Sequence, residues 1–163
     1  GEIPDIDAPL DGGSEIKLHM PALIPDDYLP DINGRLILYK RIAAAASDDE
    51  LRQLQVEMID RFGLLPVQIK NLFVVAQLRL RAQRLGIRAI EAGPDGGSID
   101  FNTNTRVHPI SLVKLVQSDP RSYKLAGATR LRFQRPLPDN RERQQYVEHL
   151  LDSFAQDATE NAA

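Results

Sequence analysis

The residues of this sequence that could do chemistry are its charged side chains and one glycine-rich run, 93–97. A loop that cradles phosphate needs closely spaced glycines between a strand and a helix, usually with a lysine. Here the run separates two strand-like segments and contains Asp95, which would repel phosphate, so the pattern favours a hairpin turn. No serine lies in a Gly-x-Ser-x-Gly elbow. The motifs therefore predict neither a nucleotide site nor a hydrolase nucleophile.

Metal and thiol chemistry have no better support in the sequence. The chain contains no cysteine, which excludes disulfides, thiolate nucleophiles, thiolate zinc sites and iron–sulfur clusters. Its three histidines are far apart, and none has a second histidine three or four residues away. Asp26, Asp27 and Asp31 could face a hard cation, but their spacing fits no calcium loop. We therefore expect a domain that is not an enzyme, with no metal, no cofactor and no small-molecule substrate.

A row of basic side chains is a stronger signal, on a helix predicted from about 66 to 85. Four polar residues share one side of this helix, within about 60° at 100° per residue: Lys70, Gln77, Arg81 and Arg84. Arg88 follows the helix, and no acid occurs from 61 to 90. This basic row (Lys70, Arg81, Arg84 and Arg88) could bind nucleic acid. The solvated side of an apolar helix is the favoured interpretation, because no aromatic residues are interleaved with the bases.

A second helix, predicted from 47 to 62, presents acids on its outward side. Its apolar residues at 51, 54 and 58 recur at helical spacing and predict the buried side. Gln53, Glu57 and Asp60 lie on the opposite side, with Val56 beside them. An exposed acidic pair with an apolar neighbour could bind arginines of a partner protein. The same pattern would also arise if these residues simply formed the polar surface of the helix.

The elements that position these two helix sides follow from capping and periodicity. Ser47 and Glu50 form a capping box, Gly63 is placed to take a left-handed conformation after that helix, and Gly86 ends the next one. The other predicted elements are a strand at 15–20, an extended proline-rich segment, a helix from Asp31, hairpins at 87–102 and 122–134, and helices at 109–117 and 140–154. We expect an α+β single domain: a helical hairpin and a central helix packed with short antiparallel β-hairpins.

Charge divides the chain into three parts. Residues 1–34 contain eight acids and one base, residues 35–138 nine acids and seventeen bases, and residues 139–163 six acids and two bases. No apolar run approaches the length of a membrane span. We predict a disordered acidic linker over 1–14, a folded domain over 15–155 and a frayed tail over 156–163. The start without methionine suggests a fragment of a longer, cytoplasmic protein.

Five stretches occur in an order that is typical of one family. They are LIPDDYLPD at 23–31, LYKRI at 38–42, IDRFGLLP at 59–66, RLRAQRLGIRAIE at 79–91 and YKLAGATRLRF at 123–133. Over roughly residues 15–152, this order resembles the C-terminal domain of the bacterial transcription-repair coupling factor.

The resemblance implies a regulatory domain within a larger protein. The parent of this family recognises RNA polymerase stalled at a DNA lesion, translocates on double-stranded DNA with ATP and recruits the repair protein UvrA. Its last domain packs on the parent's own UvrB-like module, masks the UvrA-binding surface and restrains the motor. The docking acids of the family lie on the helix ending in DRFG, which corresponds to Glu57 and Asp60. The alternative is a nucleic-acid-binding module that uses the basic row.

Overall fold

A computed structural model describes residues 13–162 of the chain, with side chains through residue 157. Most of the predicted linker, residues 1–12, lies outside the described residues, as does residue 163. The elements in chain order are β1 (Glu15–Lys17), α1 (Ile32–Ala44), α2 (Asp48–Phe62), α3 (Val67–Leu85), β2 (Ile87–Gly93), β3 (Gly96–Phe101), α4 (Pro109–Ser118), β4 (Tyr123–Ala126), β5 (Arg130–Gln134) and α5 (Asn140–Ala162). This succession confirms the predicted α+β class.

The capping box predicted at the start of α2 is present, but the carboxylate of Glu50 accepts from a backbone N–H one residue earlier than in the usual arrangement. The backbone N–H of Glu50 donates to the hydroxyl of Ser47 at 3.2 Å. The carboxylate of Glu50 accepts from the N–H of Ala46 at 2.8 Å, one residue before the cap. Two amide donors at the helix start are thereby satisfied.

Removing this cap should cost a measurable part of the stability. We expect Ser47→Ala to lower the free energy of unfolding by about 1 kcal/mol, because the N–H of Glu50 loses its acceptor. Urea denaturation monitored by circular dichroism measures the change. Ser47→Asp is the matched control, since its carboxylate can accept the same bond. Equal losses in the two variants would show that the hydroxyl does not act as the cap.

The glycine that follows α2 differs from its prediction. Gly63 has φ +102° and ψ −174°, so its φ is positive but its ψ is extended, and the prediction of a left-handed conformation was wrong. The chain leaves α2 in an extended direction toward Pro66, the residue that precedes α3. Gly86 does adopt the left-handed conformation, with φ +71° and ψ 36°, and its N–H donates to the carbonyls of Ala82 and Gln83.

A five-stranded mixed sheet forms the other half of the fold, in the order β1-β2-β3-β5-β4. The edge strand β1 runs parallel to β2, and the other neighbours are antiparallel. A row of apolar partners crosses the four strands from β1 to β5: Ile16, Ile90, Ile99 and Leu131. These side chains are buried and belong to one core cluster with residues of α3 and α5. The alternate, mostly polar side chains point to the other side of the sheet, which we call the open face.

The buried side chains form two clusters, and α3 contributes to both. Its residues Val75, Leu78 and Ala82 pack into the cluster beneath the sheet. Its residues Leu72 and Phe73 pack with α1 and α2. The predicted central helix is therefore confirmed, because each side of α3 is buried in a different core.

The two ends of the described chain extend beyond the predicted domain core. Ser14 is buried and its hydroxyl donates to the carbonyl of Ile87, although it was assigned to the linker. The helix α5 continues to Ala162, past its predicted end at Phe154. The division into linker, domain and tail stays a prediction. Within the described residues, no helix is long and apolar enough to cross a membrane.

Candidate docking surface on the second helix

The outward side of α2 carries apolar side chains that solvent reaches. Val56 is 58% exposed and Ile59 39% exposed. Beyond the helix end, Leu64 is 85% exposed and Val67, at the start of α3, 64%. With Asp60, which is also exposed, these residues define what we call the docking surface (Val56, Ile59, Asp60, Leu64 and Val67). Helical spacing places Val56, Ile59 and Asp60 on one side of α2, and exposed apolar patches are typical of contact surfaces for other proteins.

Glu57 is held within the domain by two arginines. Its two carboxylate oxygens accept from the guanidinium of Arg41 on α1, at 2.6 and 3.0 Å. Arg61, one turn further along α2, donates to Glu57 Oε2 at 3.3 Å. The hydrogen bonds from Arg41 are the main cause that lowers the pKa of Glu57, and Arg61 adds to the effect. The sequence analysis missed Arg41, because nothing in local periodicity shows which residue of α1 lies opposite α2.

Asp60 has no such partner. Among the described residues, no arginine or lysine forms a salt bridge with its carboxylate, and no hydrogen bond to it is present. The structure therefore separates the two predicted docking acids. Glu57 connects α1 to α2 through Arg41, while Asp60 presents a free carboxylate among exposed apolar neighbours.

A groove of 370 Å³ lies between α1 and α2, beside Glu57. Its lining residues are Arg41, Ala44, Ala45, Glu50, Gln53, Leu54 and Glu57. The predicted outward orientation of Gln53 is confirmed, since this side chain is exposed. The predicted inward residues Leu51, Leu54 and Met58 are buried.

Tyr28 fixes the C-terminal end of α2 from the proline-rich segment. Its hydroxyl donates toward the carbonyls of Met58, at 3.1 Å, and Gly63, at 2.8 Å. Partial burial raises the pKa of this phenol, so the hydroxyl keeps its proton. The Tyr28 ring also meets Phe62 edge to face, with the centroids 5.9 Å apart. The helix end next to Asp60 is thus held in place by side chains distant in sequence.

The basic row is largely balanced by acids. Arg81 pairs with Asp152 on α5, and Arg84 lies 3.7 Å from Asp48 at the start of α2. Arg88 lies 2.7 Å from Asp100 on β3. Lys70 is the one member without a salt bridge among the described residues. This arrangement agrees with the interpretation of a solvated helix side.

Within the described part of the chain, no group of three or more acidic or histidine side chains could hold a metal ion.

Comparisons with known proteins match this fold and this sequence. The family model of the TRCF domain matches residues 18–112. The transcription-repair-coupling factor of Escherichia coli (strain K12) is 42% identical over 158 residues, which cover 97% of this chain and 14% of that protein. The Haemophilus influenzae protein of the same name is 43% identical over 155 residues, 95% of this chain and 14% of that protein.

A solved structure shares the architecture. The crystal structure of the C-terminal domain of transcription-repair coupling factor aligns with a TM-score of 0.73, at 22% identity, over 89% of this chain and 93% of that one. The chain thus spans 14% of the length of the two curated relatives, and its fold is that of the solved C-terminal domain. On the family model and these relatives, the chain belongs to the TRCF domain family, the C-terminal part of transcription-repair coupling factors.

Proposed function

We propose that this domain is a releasable docking domain that binds the UvrB-like module of its own parent protein. Docked, it masks the surface that UvrA would bind and restrains the DNA translocase motor, which acts on RNA polymerase stalled at DNA damage. The observation that carries this proposal is the free carboxylate of Asp60 among exposed apolar side chains. The domain itself catalyses nothing in this scheme.

The two acids would contribute in different ways. Asp60 has both oxygens available for an arginine of the partner, and a bidentate pair of this kind is a strong, directional contact. Each oxygen of Glu57 can accept about two hydrogen bonds. Oε2 is bonded to Arg41 and Arg61, whereas Oε1 is bonded to Arg41 alone. Glu57 can therefore accept one further donor without releasing Arg41.

The apolar residues of the docking surface would add buried area to the contact but no directional bond. Val56, Leu64 and Val67 would lose their contact with water on docking, at about 25 cal/mol per Å² of apolar surface removed. Contacts between domains of one chain are commonly of moderate size and polar, so they can open. A coupling of about 1–3 kcal/mol between release of this domain and UvrA binding would be sufficient for regulation.

Reversing both acids tests the proposal. In the full-length parent, we expect Glu57→Lys/Asp60→Lys to open the docked state, raise the affinity for UvrA by about 5- to 150-fold and raise the ATPase rate. The same double variant of this domain should fail to retain the isolated UvrB-like module in a pull-down. The physical reason is that two attractive contacts to arginine become repulsive.

Matched variants separate this effect from a general change of charge. Asp95→Lys/Glu142→Lys makes the same change at two exposed acids outside α2 and should leave UvrA affinity and the pull-down unaffected. Asp60→Lys alone should cause most of the loss of binding to the UvrB-like module, because Glu57 keeps its own arginines. The proposal would be contradicted if the Glu57→Lys/Asp60→Lys variant retained the UvrB-like module and bound UvrA as the wild type does.

A further inference from the structure

The open face of the sheet carries a cluster of cations at its β4–β5 edge. Lys124 on β4 lies directly opposite Arg132 on β5 in the strand register. Arg121, just before β4, lines the same groove of 240 Å³ as these two residues. All three side chains are exposed, and none forms a salt bridge with a described residue. The nearest acid in the sequence, Asp119, accepts from Ser122, whose hydroxyl and backbone lower its pKa, and the backbone and charge of Arg121 lower it further. Arg121 is thus partly balanced by Asp119, whereas Lys124 and Arg132 are not. We call Arg121, Lys124 and Arg132 the cationic cluster.

The neighbouring row of the same face has an acid in direct contact with its cations, whereas the acid in the row of Arg132, Glu91, lies two strands away on β2. One step along β5, Arg130 donates to Asp100 at 2.5 and 3.1 Å, and Arg88 donates to the same carboxylate at 2.7 Å. In the row of Arg132, the β3 partner is Ser98, which carries no charge. Like charges directly opposite on neighbouring strands destabilise a sheet. The pair of Lys124 and Arg132 therefore weakens the fold and leaves positive charge free for a ligand.

The residue types on this surface indicate which kind of ligand it could bind. The cores of protein–protein contacts are apolar and rich in aromatic residues. Single-stranded nucleic acid is bound by stacking its bases on aromatic side chains. Both aromatic residues of these strands, Tyr123 and Phe133, are buried in the core beneath the sheet instead. The lack of exposed aromatic residues therefore argues against single strands, but exposed cations can still contact the phosphates of a duplex, which are bound through charge and hydrogen bonds.

We propose that the cationic cluster binds the phosphate backbone of double-stranded DNA without reading its sequence. Alternate residues of a strand are about 7 Å apart, so the cationic cluster lies next to the ion-paired Arg130 along β5. The cationic cluster is distinct from the docking surface on α2 and from the members of the basic row on α3, although Arg88 of that row lies on the open face. Its DNA contact does not depend on the docking proposed above.

Fluorescence anisotropy with a labelled 20-base-pair duplex at low salt tests this proposal on the chain as it stands. Three phosphate contacts predict that log K falls with log salt at a slope of about −2.7. Lys124→Ala/Arg132→Ala should weaken binding at least about tenfold and reduce the slope by about 2. The same variant should keep or raise its melting temperature, because it removes a repulsive pair. A purely structural role would lower the melting temperature instead.

Two comparisons decide between this surface and other sources of binding. Lys40→Ala/Lys70→Ala removes the same charge from α1 and α3, and its affinity for the duplex should stay within about twofold of wild type. Equal losses in the two double variants would overturn the proposal, since binding would then follow net charge. A wild-type chain that shows no duplex binding at low salt, or binds poly-glutamate more tightly than DNA, would also overturn it.

Discussion

Arg143→Met should destabilise this domain by about 3–5 kcal/mol, the largest effect expected from any single side chain discussed here. Arg143 is 2% exposed, and no carboxylate of a described residue forms a salt bridge with its guanidinium. Its donors bond the backbone carbonyls of Leu18 at 2.8 Å, His19 at 3.1 Å and Leu137 at 2.8 and 3.1 Å. Methionine has a similar length but no donor, so these carbonyls would remain buried without partners, at about 1–3 kcal/mol each.

Urea denaturation measures this loss, and two variants interpret it. Arg141→Met removes an exposed arginine from the same turn of α5 and should change stability by less than about 0.5 kcal/mol. Arg143→Lys keeps the charge but has one point of donation, so it should recover only part of the loss. A loss below about 1 kcal/mol in Arg143→Met would show that water replaces the guanidinium without difficulty.

Gly96→Ala should also be strongly destabilising, by roughly 3 kcal/mol. Gly96 begins β3 with φ +135°, a region that L-residues rarely adopt. A Cβ at this position would lie 2.2 Å from the carbonyl oxygen of Phe133 and 2.9 Å from the Cα of Gln134. Both neighbours are backbone atoms of the paired strand β5, which cannot move without breaking the ladder.

Gly127→Ala separates the two causes of that loss. Gly127 also has a positive φ, +70°, but no atom lies within 4 Å of the position its Cβ would take. Backbone strain alone predicts a loss of about 1–2 kcal/mol there. Thermal unfolding of the two variants compares them directly. If Gly127→Ala destabilised as much as Gly96→Ala, the close approach of β5 would contribute nothing.

Local signals in the sequence predicted the helices well. Ser47 and Gly86 identify helix ends because capping depends on residues close in the chain. The apolar spacing of α5 also indicates its inward side, on which Val147 and Leu151 are buried. Arg143 lies on that same side, one turn before Val147, so periodicity could have indicated it. Its charge argued against burial, and two of the compensating carbonyls, those of Leu18 and His19, come from a segment far away in sequence.

Contacts between distant segments account for what the sequence could not predict. Nothing local shows that β5 rather than β4 pairs with β3, or that β1 adds to β2 in parallel. The residues of the candidate site divide in the same way, into positions that local spacing predicts and contacts that only the tertiary fold creates. The outward position of Glu57 and Asp60 follows from helical spacing, whereas the bond from Arg41 to Glu57 depends on how α1 crosses α2. The opposition of Lys124 and Arg132 requires the register of the second hairpin.

The position of α3 between two cores has a consequence for communication across the domain. The docking surface belongs to the helical layer and the cationic cluster to the sheet. Packed side chains transmit displacement when they have little room to adjust. The face of α3 at Leu72 and Phe73 touches one layer, and the face at Val75 and Leu78 touches the other. A shift of α3 along its axis would therefore displace packed side chains in both layers.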